Sequence, residues 1–306
     1  MSTEGSTRAI FAALGANTGI AITKFIAAGI SGSASMFAEA IHSVADTGNQ
    51  ILLLLGGKRA KRKATPTHPF GYGRSRYIYA FMVSIVLFSI GGMFSILEGV
   101  EKLTHPHELE QAWLPLTVLG VAIALESFSL FTALKAAKEE RGRTSLYKFI
   151  RHAKSPELPV VILEDIAALL GLAFAFAGVG LTVLTHDAVW DAVGTLAIGA
   201  LLVAVAVVLG IETSSLLVGE GATEKDNTKI ADAIRKTAGI HDIIHMKTLY
   251  LGPDELMVAA KIAVKATDSA KEVANIIDNA EDNIRKEVHT ARVIYLEPDI
   301  LRSSKN

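Results

Sequence analysis

The stretch ASMFAEAIHSVADTGNQILLLL (34–55) is long enough to cross a bilayer, yet it carries His42 and Asp46 one helical turn apart. A second apolar stretch, LPVVILEDIAALLGLAFAFAGVGLTVL (158–184), carries the adjacent residues Glu164 and Asp165. An ionisable side chain in hydrocarbon costs about 2.5 to 3.5 kcal/mol on insertion scales, so such residues usually have a function. These four residues predict a buried cation site.

The composition indicates a membrane protein. Of the 306 residues, 50% are hydrophobic, and the mean hydropathy is +0.38. The apolar residues form six blocks of about 20 residues, which predict six transmembrane helices: Ile10–Ile30, Ala34–Leu55, Tyr77–Leu97, Leu114–Leu134, Leu158–Leu184 and Ala188–Ile211. The alternative interpretation is a large soluble protein with buried helices.

The chain has no cysteine, which excludes thiolate ligands and thiol catalysis.

The basic residues predict the orientation of the spans. The loop Lys58–Arg76 and the segment Lys135–Lys154 each carry seven Lys or Arg residues, whereas the connections on the other side carry almost none. By the positive-inside rule both basic segments and both termini are cytoplasmic. We expect a multi-pass protein of the plasma (inner) membrane. The net charge of −1 gives no support for nucleic-acid binding.

The chain beyond the sixth span has the pattern of a small soluble domain. We expect a transport domain over residues 1–211 and a cytoplasmic α+β domain over residues 212–306. The predicted order is helix, strand, strand, helix, strand, which is a ferredoxin-like αββαβ arrangement. The elements are Glu224–Thr237, Ile243–Leu251, Glu255–Val264, Asp268–Val288 with Asp268 as N-cap, and Ala291–Leu296.

The polar residues of the second span share one helical face and must point into a bundle or an aqueous cavity: Glu39, His42, Ser43, Asp46, Asn49 and Gln50. At about 1.5 Å of rise per residue, Asp46 and Asp165 both lie about 14 Å from the cytoplasmic ends of their spans. Glu126 and Asn17 fall at nearly the same depth. Polar groups from four spans therefore meet near the middle of the apolar core.

Imidazole and carboxylate ligands without sulfur suit zinc, and also manganese, iron, cobalt or nickel. We expect His42, Asp46 and Asp165 to bind the ion. Glu164 points about 100° away from Asp165 on its helix, so it is either a further ligand or a proton carrier. Glu126 has the alternative of an ion pair with Lys24, although Lys24 also lies near enough to the outer interface to extend into it. Protons compete with the metal for the same atoms.

At these residues the chain resembles the cation diffusion facilitator family, in particular the branch that contains the mitochondrial zinc exporter of animals. The resemblance covers almost the whole chain and rests on four motifs: HSVAD (42–46), HPFGYGR (68–74), EDIAALLG (164–171) and LLVGEGA (216–222). It implies a homodimer that exports zinc, or a related divalent cation, in exchange for protons. It implies no enzyme activity and no organic cofactor.

The resemblance also implies a ligand set, which this chain matches only in part. The first ligand pair of the family falls on His42 and Asp46, and the second on Val161 and Asp165. Valine cannot bind a metal, so the fourth ligand is Glu164, Glu39, Asn17 or water.

Other metal sites of the family are poorly matched. In the soluble domain, the ligand positions of relatives fall on Ile244, Lys261 and Tyr295, and only Glu297 is retained. In the basic loop His68 is retained, but Thr65 and Tyr72 stand where relatives have ligands. We expect neither site in this protein.

Two rival functions belong to other classes. An intramembrane metalloprotease would need a zinc motif such as HExxH, which the sequence lacks. A receptor or scaffold would use the polar stripe only to assemble the bundle, and would show no stoichiometric metal site.

Overall fold

The computed structural model describes residues 3–106 and 113–300. In these ranges the chain forms ten α-helices, one π-helical segment (Leu87–Met93) and three strands. The helices are α1 Thr3–Ser31, α2 Ala34–Ala60, α3 Ser75–Val86, α4 Phe94–Thr104, α5 Trp113–Arg141, α6 Leu146–His152, α7 Glu157–Thr185, α8 Val189–Val218, α9 Glu224–Arg235 and α10 Ala270–Glu287. The strands are β1 Asp242–Gly252, β2 Glu255–Val264 and β3 Ala291–Ile300.

The chain divides into two compact units. One contains residues 1–57 and 78–214, called here the helical unit, and the other contains residues 58–77 and 215–306, called the sheet unit. Within the described residues, four helices are long and apolar enough to cross a membrane by length and composition: Ser75–Thr104, Trp113–Lys138, Glu157–Thr185 and Val189–Val218. The sequence predicted six. In α2, the polar stripe lowers the mean hydropathy.

The helix Ser75–Thr104 packs against α8 at very short range. A Cβ added to Gly92 would lie 2.6 Å from Val203 Cγ2, and one added to Gly199 would lie 2.9 Å from the Ile96 nitrogen. Glycine therefore permits the contact, as is common between membrane helices. Gly92 lies in the π-helical segment, which the sequence analysis did not predict.

A buried carboxylate, that of Asp191 in α8, caps the start of α2. Ser33 Oγ donates to Asp191 Oδ1 at 2.9 Å, and the Ala34 nitrogen donates to Oδ2 at 2.7 Å. The Ser35 nitrogen and hydroxyl also donate to Oδ1. Asp191 is fully buried, so these bonds satisfy both its charge and the free amides of the helix terminus.

The sheet unit has the strand order β1–β2–β3, with β1 antiparallel to β2 and β2 parallel to β3. The predicted element order, helix, strand, strand, helix, strand, is present. Its core is formed by Ile230, Ile234, Leu256, Val258, Ile262, Ala280, Ile284 and Ile294. The predicted N-cap Asp268 is wrong. Ser269 caps α10, because its side chain and that of Glu272 form a reciprocal capping box.

Residues 58–77 belong to the sheet unit because their glycine-rich part contacts the β1–β2 turn. A Cβ on Gly73 would lie 2.7 Å from the Leu251 carbonyl oxygen. Arg76 Nη1 donates to Asp254 Oδ2 at 2.8 Å. The basic loop thus has a fixed place within this unit rather than serving only as a linker.

The Asp191 cap leads to a stability prediction. We expect Asp191→Asn to lower the free energy of unfolding by about 2 kcal/mol, because buried donors lose a charged acceptor. Asp187→Asn is the matched control, since Asp187 is exposed and accepts from one backbone amide that asparagine also satisfies. Thermal unfolding in detergent measures both. Equal midpoints for the two variants would contradict the role given to Asp191.

Candidate metal centre

The polar stripe of α2 faces the interior of the helical unit. Glu39, His42 and Asn49 are each at most 1% exposed, and Ser43 is also buried. This is the orientation that the sequence analysis expected, because lipid cannot satisfy these groups. Their hydrogen-bond partners therefore decide what the stripe does.

His42 and Asp46 are neighbours on α2. The distance from His42 Nδ1 to Asp46 Oδ1 is 3.5 Å. Neither His42 ring nitrogen has a hydrogen-bond partner among the described residues. A buried imidazole usually bonds to a carbonyl or a hydroxyl group, and this one does not. The unprotonated nitrogen of a neutral imidazole is therefore available to a cation.

Glu164 and Asp165 contact different helices. Asn49 Nδ2 of α2 donates to Glu164 Oε1 at 2.6 Å. Ser129 Oγ of α5 donates to Asp165 Oδ2 at 3.0 Å. Glu164 is thus the α7 carboxylate that reaches the α2 stripe, while Asp165 reaches α5.

The structure does not bring the predicted ligands together as a complete set. In the described part of the chain, no three His, Asp or Glu side chains lie close enough to hold one ion. The pair His42 and Asp46 is formed, and Asp46 interacts electrostatically with Glu164. The predicted preference for Asp165 over Glu164 is not reflected in this conformation.

Lys24 is buried and belongs to the same region. Its side chain is 1% exposed, and Nζ lies 3.1 Å from Glu39 Oε2 and 2.8 Å from Ser43 Oγ. The sequence offered two alternatives for Lys24, a pair with Glu126 or extension to the outer interface. Its burial contradicts the extension, and its hydrogen-bonded carboxylate is Glu39, while Glu126 interacts with it electrostatically. Glu39 is the nearer carboxylate because α1 and α2 form a hairpin about Gly32, and Lys24 and Glu39 lie eight residues before and seven residues after it.

A cavity of about 940 Å³ lies among α1, α5 and α7. Its lining includes Asn17, Glu126, Ser129 and Val161. Asn17 and Glu126, which the sequence places at one depth, therefore line the same cavity. Val161, where the family resemblance implies a ligand that valine cannot supply, is part of its wall.

In the sheet unit, the ammonium group of Lys261 is paired with Glu297, the one carboxylate retained at the ligand positions that the resemblance implies. Lys261 Nζ lies 3.0 Å from Glu297 Oε1 and 3.2 Å from Asp299 Oδ2. Hydrogen bonds to Glu297 and Asp299 raise the pKa of Lys261 above its ordinary value. The ammonium group competes with any metal ion for Glu297.

Sequence reasoning missed the hydrogen-bond partners of Glu39, Glu164 and Asp165. It estimated the depth of Asp46, Asp165, Glu126 and Asn17, but not which side chain of a neighbouring helix faces each carboxylate. For Lys24, a usable signal was its position relative to Gly32, since residues equally far from a hairpin corner lie side by side. For Asn49 and Ser129 the sequence contains no comparable signal.

Comparisons with known proteins identify the family of the transmembrane part of the chain. The cation efflux transmembrane domain matches residues 10–218. The proton-coupled zinc antiporter SLC30A9, mitochondrial, of Xenopus laevis is 32% identical over 241 residues, which are 78% of this chain and 43% of that protein. Metal tolerance protein C4 of Arabidopsis thaliana is 29% identical over 262 residues, which are 85% of this chain and 57% of that protein.

A similar solved structure is the nickel form of a MamM C-terminal domain. It is 14% identical and covers 26% of this chain and all of that chain, with a TM-score of 0.25. This score is too low to support an argument about fold. The chain spans about half the length of the two curated relatives described above.

The expected plasma-membrane location is contradicted by these comparisons. The frog relative is a mitochondrial protein by its name. Loop charge orients helices relative to the two sides of a membrane, but it does not identify the membrane.

The contact between Asn49 and Glu164 can be tested by a double-mutant cycle. We expect Asn49→Leu to lower the free energy of unfolding by about 1 to 3 kcal/mol, because it leaves the Glu164 carboxyl group buried without its donor. Asn49→Leu combined with Glu164→Leu should cost less than Asn49→Leu alone. Gln50→Leu, which removes the neighbouring half-buried amide, is the control. Additive losses in thermal unfolding would show that the two side chains are not coupled.

Proposed function

This chain belongs to the cation efflux family, and on that basis we propose that it exports zinc across a membrane in exchange for protons. The family makes it a transporter of divalent metal cations rather than an enzyme. The choice of zinc and of protons draws on the printed name of the frog relative, a proton-coupled zinc antiporter. Manganese, iron, cobalt and nickel are the alternative ions for the same ligands.

One observation carries the proposal. The imidazole of His42 is buried, its two ring nitrogens have no hydrogen bond within the described part of the chain, and it lies beside Asp46 on the polar face of α2. Burying an imidazole without hydrogen bonds costs free energy unless a bound ligand compensates. A divalent ion does so, and it must displace protons from the same atoms, which couples the two cations.

We propose His42, Asp46 and Asp165 as ligands, with Glu164 as the fourth in place of Val161. Glu164 is already held at α2 by Asn49, whereas Asp165 bonds to α5. Binding then requires a shift of α7 that brings Asp165 toward α2. Movement of α7 between these contacts is a natural part of an alternating-access cycle.

The remaining architecture is proposed from the family. We propose six spans over residues 1–211, with α1 and α2 as the first two, and a ferredoxin-like domain over residues 212–306. The protein works as a homodimer, and the relatives' names favour a mitochondrial membrane.

Transport by the purified protein in proteoliposomes tests the function. With an acidic lumen, external zinc should enter while protons leave, followed by a luminal zinc indicator and a pH dye. His42→Ala and Asp46→Asn should each slow uptake by at least about tenfold, because each removes a ligand. Asp187→Asn, an exposed carboxylate outside the site, should match the wild type. Equal uptake by all four proteins would disprove the mechanism.

The role of Glu164 has a separate test. Glu164→Gln should weaken zinc binding by about tenfold or more, and adding Val161→Asp should restore it, because an aspartate at 161 completes the family's ligand set. Calorimetric titration of the detergent-purified protein measures both, with Val161→Leu as the volume control. If Val161→Asp gives no recovery, Glu164 does not substitute for the missing ligand.

A further inference from the structure

Lys24 is an ammonium group inside the helical unit. It is 1% exposed, and it donates hydrogen bonds to Glu39 at 3.1 Å and to Ser43 at 2.8 Å. Moving such a charge out of water is costly even when it is paired. Apolar side chains would be enough to pack α1 against α2, so packing alone does not explain the buried Lys24–Glu39 pair.

The pair lies on the same face of α2 as the proposed site. Ser43 directly follows His42, and Glu39 is one helical turn before it. Lys24 interacts electrostatically with both His42 and Asp46. A positive charge at this place acts on any ion that binds to these two residues.

Only one of the two carboxylate oxygens of Glu39 bonds to Lys24. Its Oε2 bonds to Lys24, while its Oε1 is buried without a hydrogen bond among the described residues. The Oε1 atom lies 2.5 Å from where a Cβ on Gly171 of α7 would be. Glu39 is therefore a carboxylate adjacent to α7 whose charge is balanced by Lys24.

We propose that the Lys24–Glu39 ion pair sets the affinity of the neighbouring site for divalent cations. The ammonium neutralises Glu39, so the site binds its ion with the ligands proposed above and can release it. Without Lys24, Glu39 would add a full negative charge beside the ion. This inference rests on the proposed function, and it makes Lys24 and Glu39 positioning residues rather than ligands.

The proposal predicts opposite signs for two single substitutions. Lys24→Met should tighten zinc binding by at least about tenfold, because it uncovers the Glu39 carboxylate. Glu39→Gln should weaken it by at least about tenfold, because it leaves Lys24 uncompensated near His42. The double variant and Lys24→Arg should bind zinc nearly as the wild type does.

The measurement is calorimetric titration of the full chain in detergent with zinc chloride, with folding checked by thermal unfolding. A merely structural pair would give losses of the same sign in both single variants, and that result overturns the inference. If Lys24→Met does not fold, the zinc affinity of Glu39→Gln tests the inference instead. Unchanged zinc affinity in Glu39→Gln also overturns the inference. Absence of stoichiometric zinc binding by the wild type would instead overturn the proposed function.

Discussion

The structure of the helical unit depends on one constraint, which is that a charged group away from water must find a partner within the protein. Asp191 meets it by accepting bonds from the start of α2, and Lys24 meets it through Glu39. Glu164 and Asp165 meet it through side chains of two different helices. His42 alone among these groups has no hydrogen bond in the described residues, and for that reason the proposed cation site is centred on it.

How much the sequence could predict follows from the same constraint. The polar stripe of α2 was predictable because helical periodicity fixes which residues share a face, and depth followed from the rise per residue. The partners were not, because periodicity does not say which neighbouring helix a face meets. The choice between Glu164 and Asp165 depends on the rotation of α7, which only packing determines. The cap of α10 was misplaced by one residue because Asp268 and Ser269 are both good caps.

Lys24 and Lys261 are two lysine side chains that pair with carboxylates of this chain. Lys261 occupies the carboxylates of Glu297 and Asp299 in the sheet unit. Lys24 occupies one oxygen of Glu39 in the helical unit. In the first case the ammonium group stands at a position where the family resemblance implies a metal ligand. In the second it forms no hydrogen bond to the proposed ligands His42 and Asp46 among the described residues, and by our proposal it acts on them only through its charge.

The glycine contacts between helix Ser75–Thr104 and α8 have a consequence for inherited variation. At Gly92 and Gly199 a single methyl group would meet side-chain or backbone atoms at under 3 Å. At Gly199 the two helices would have to move apart, because the Ile96 nitrogen belongs to the backbone and cannot move aside as a flexible side chain does. Alleles that change these glycines should therefore be rare in natural populations, even though the positions are remote in sequence from His42 and Asp46.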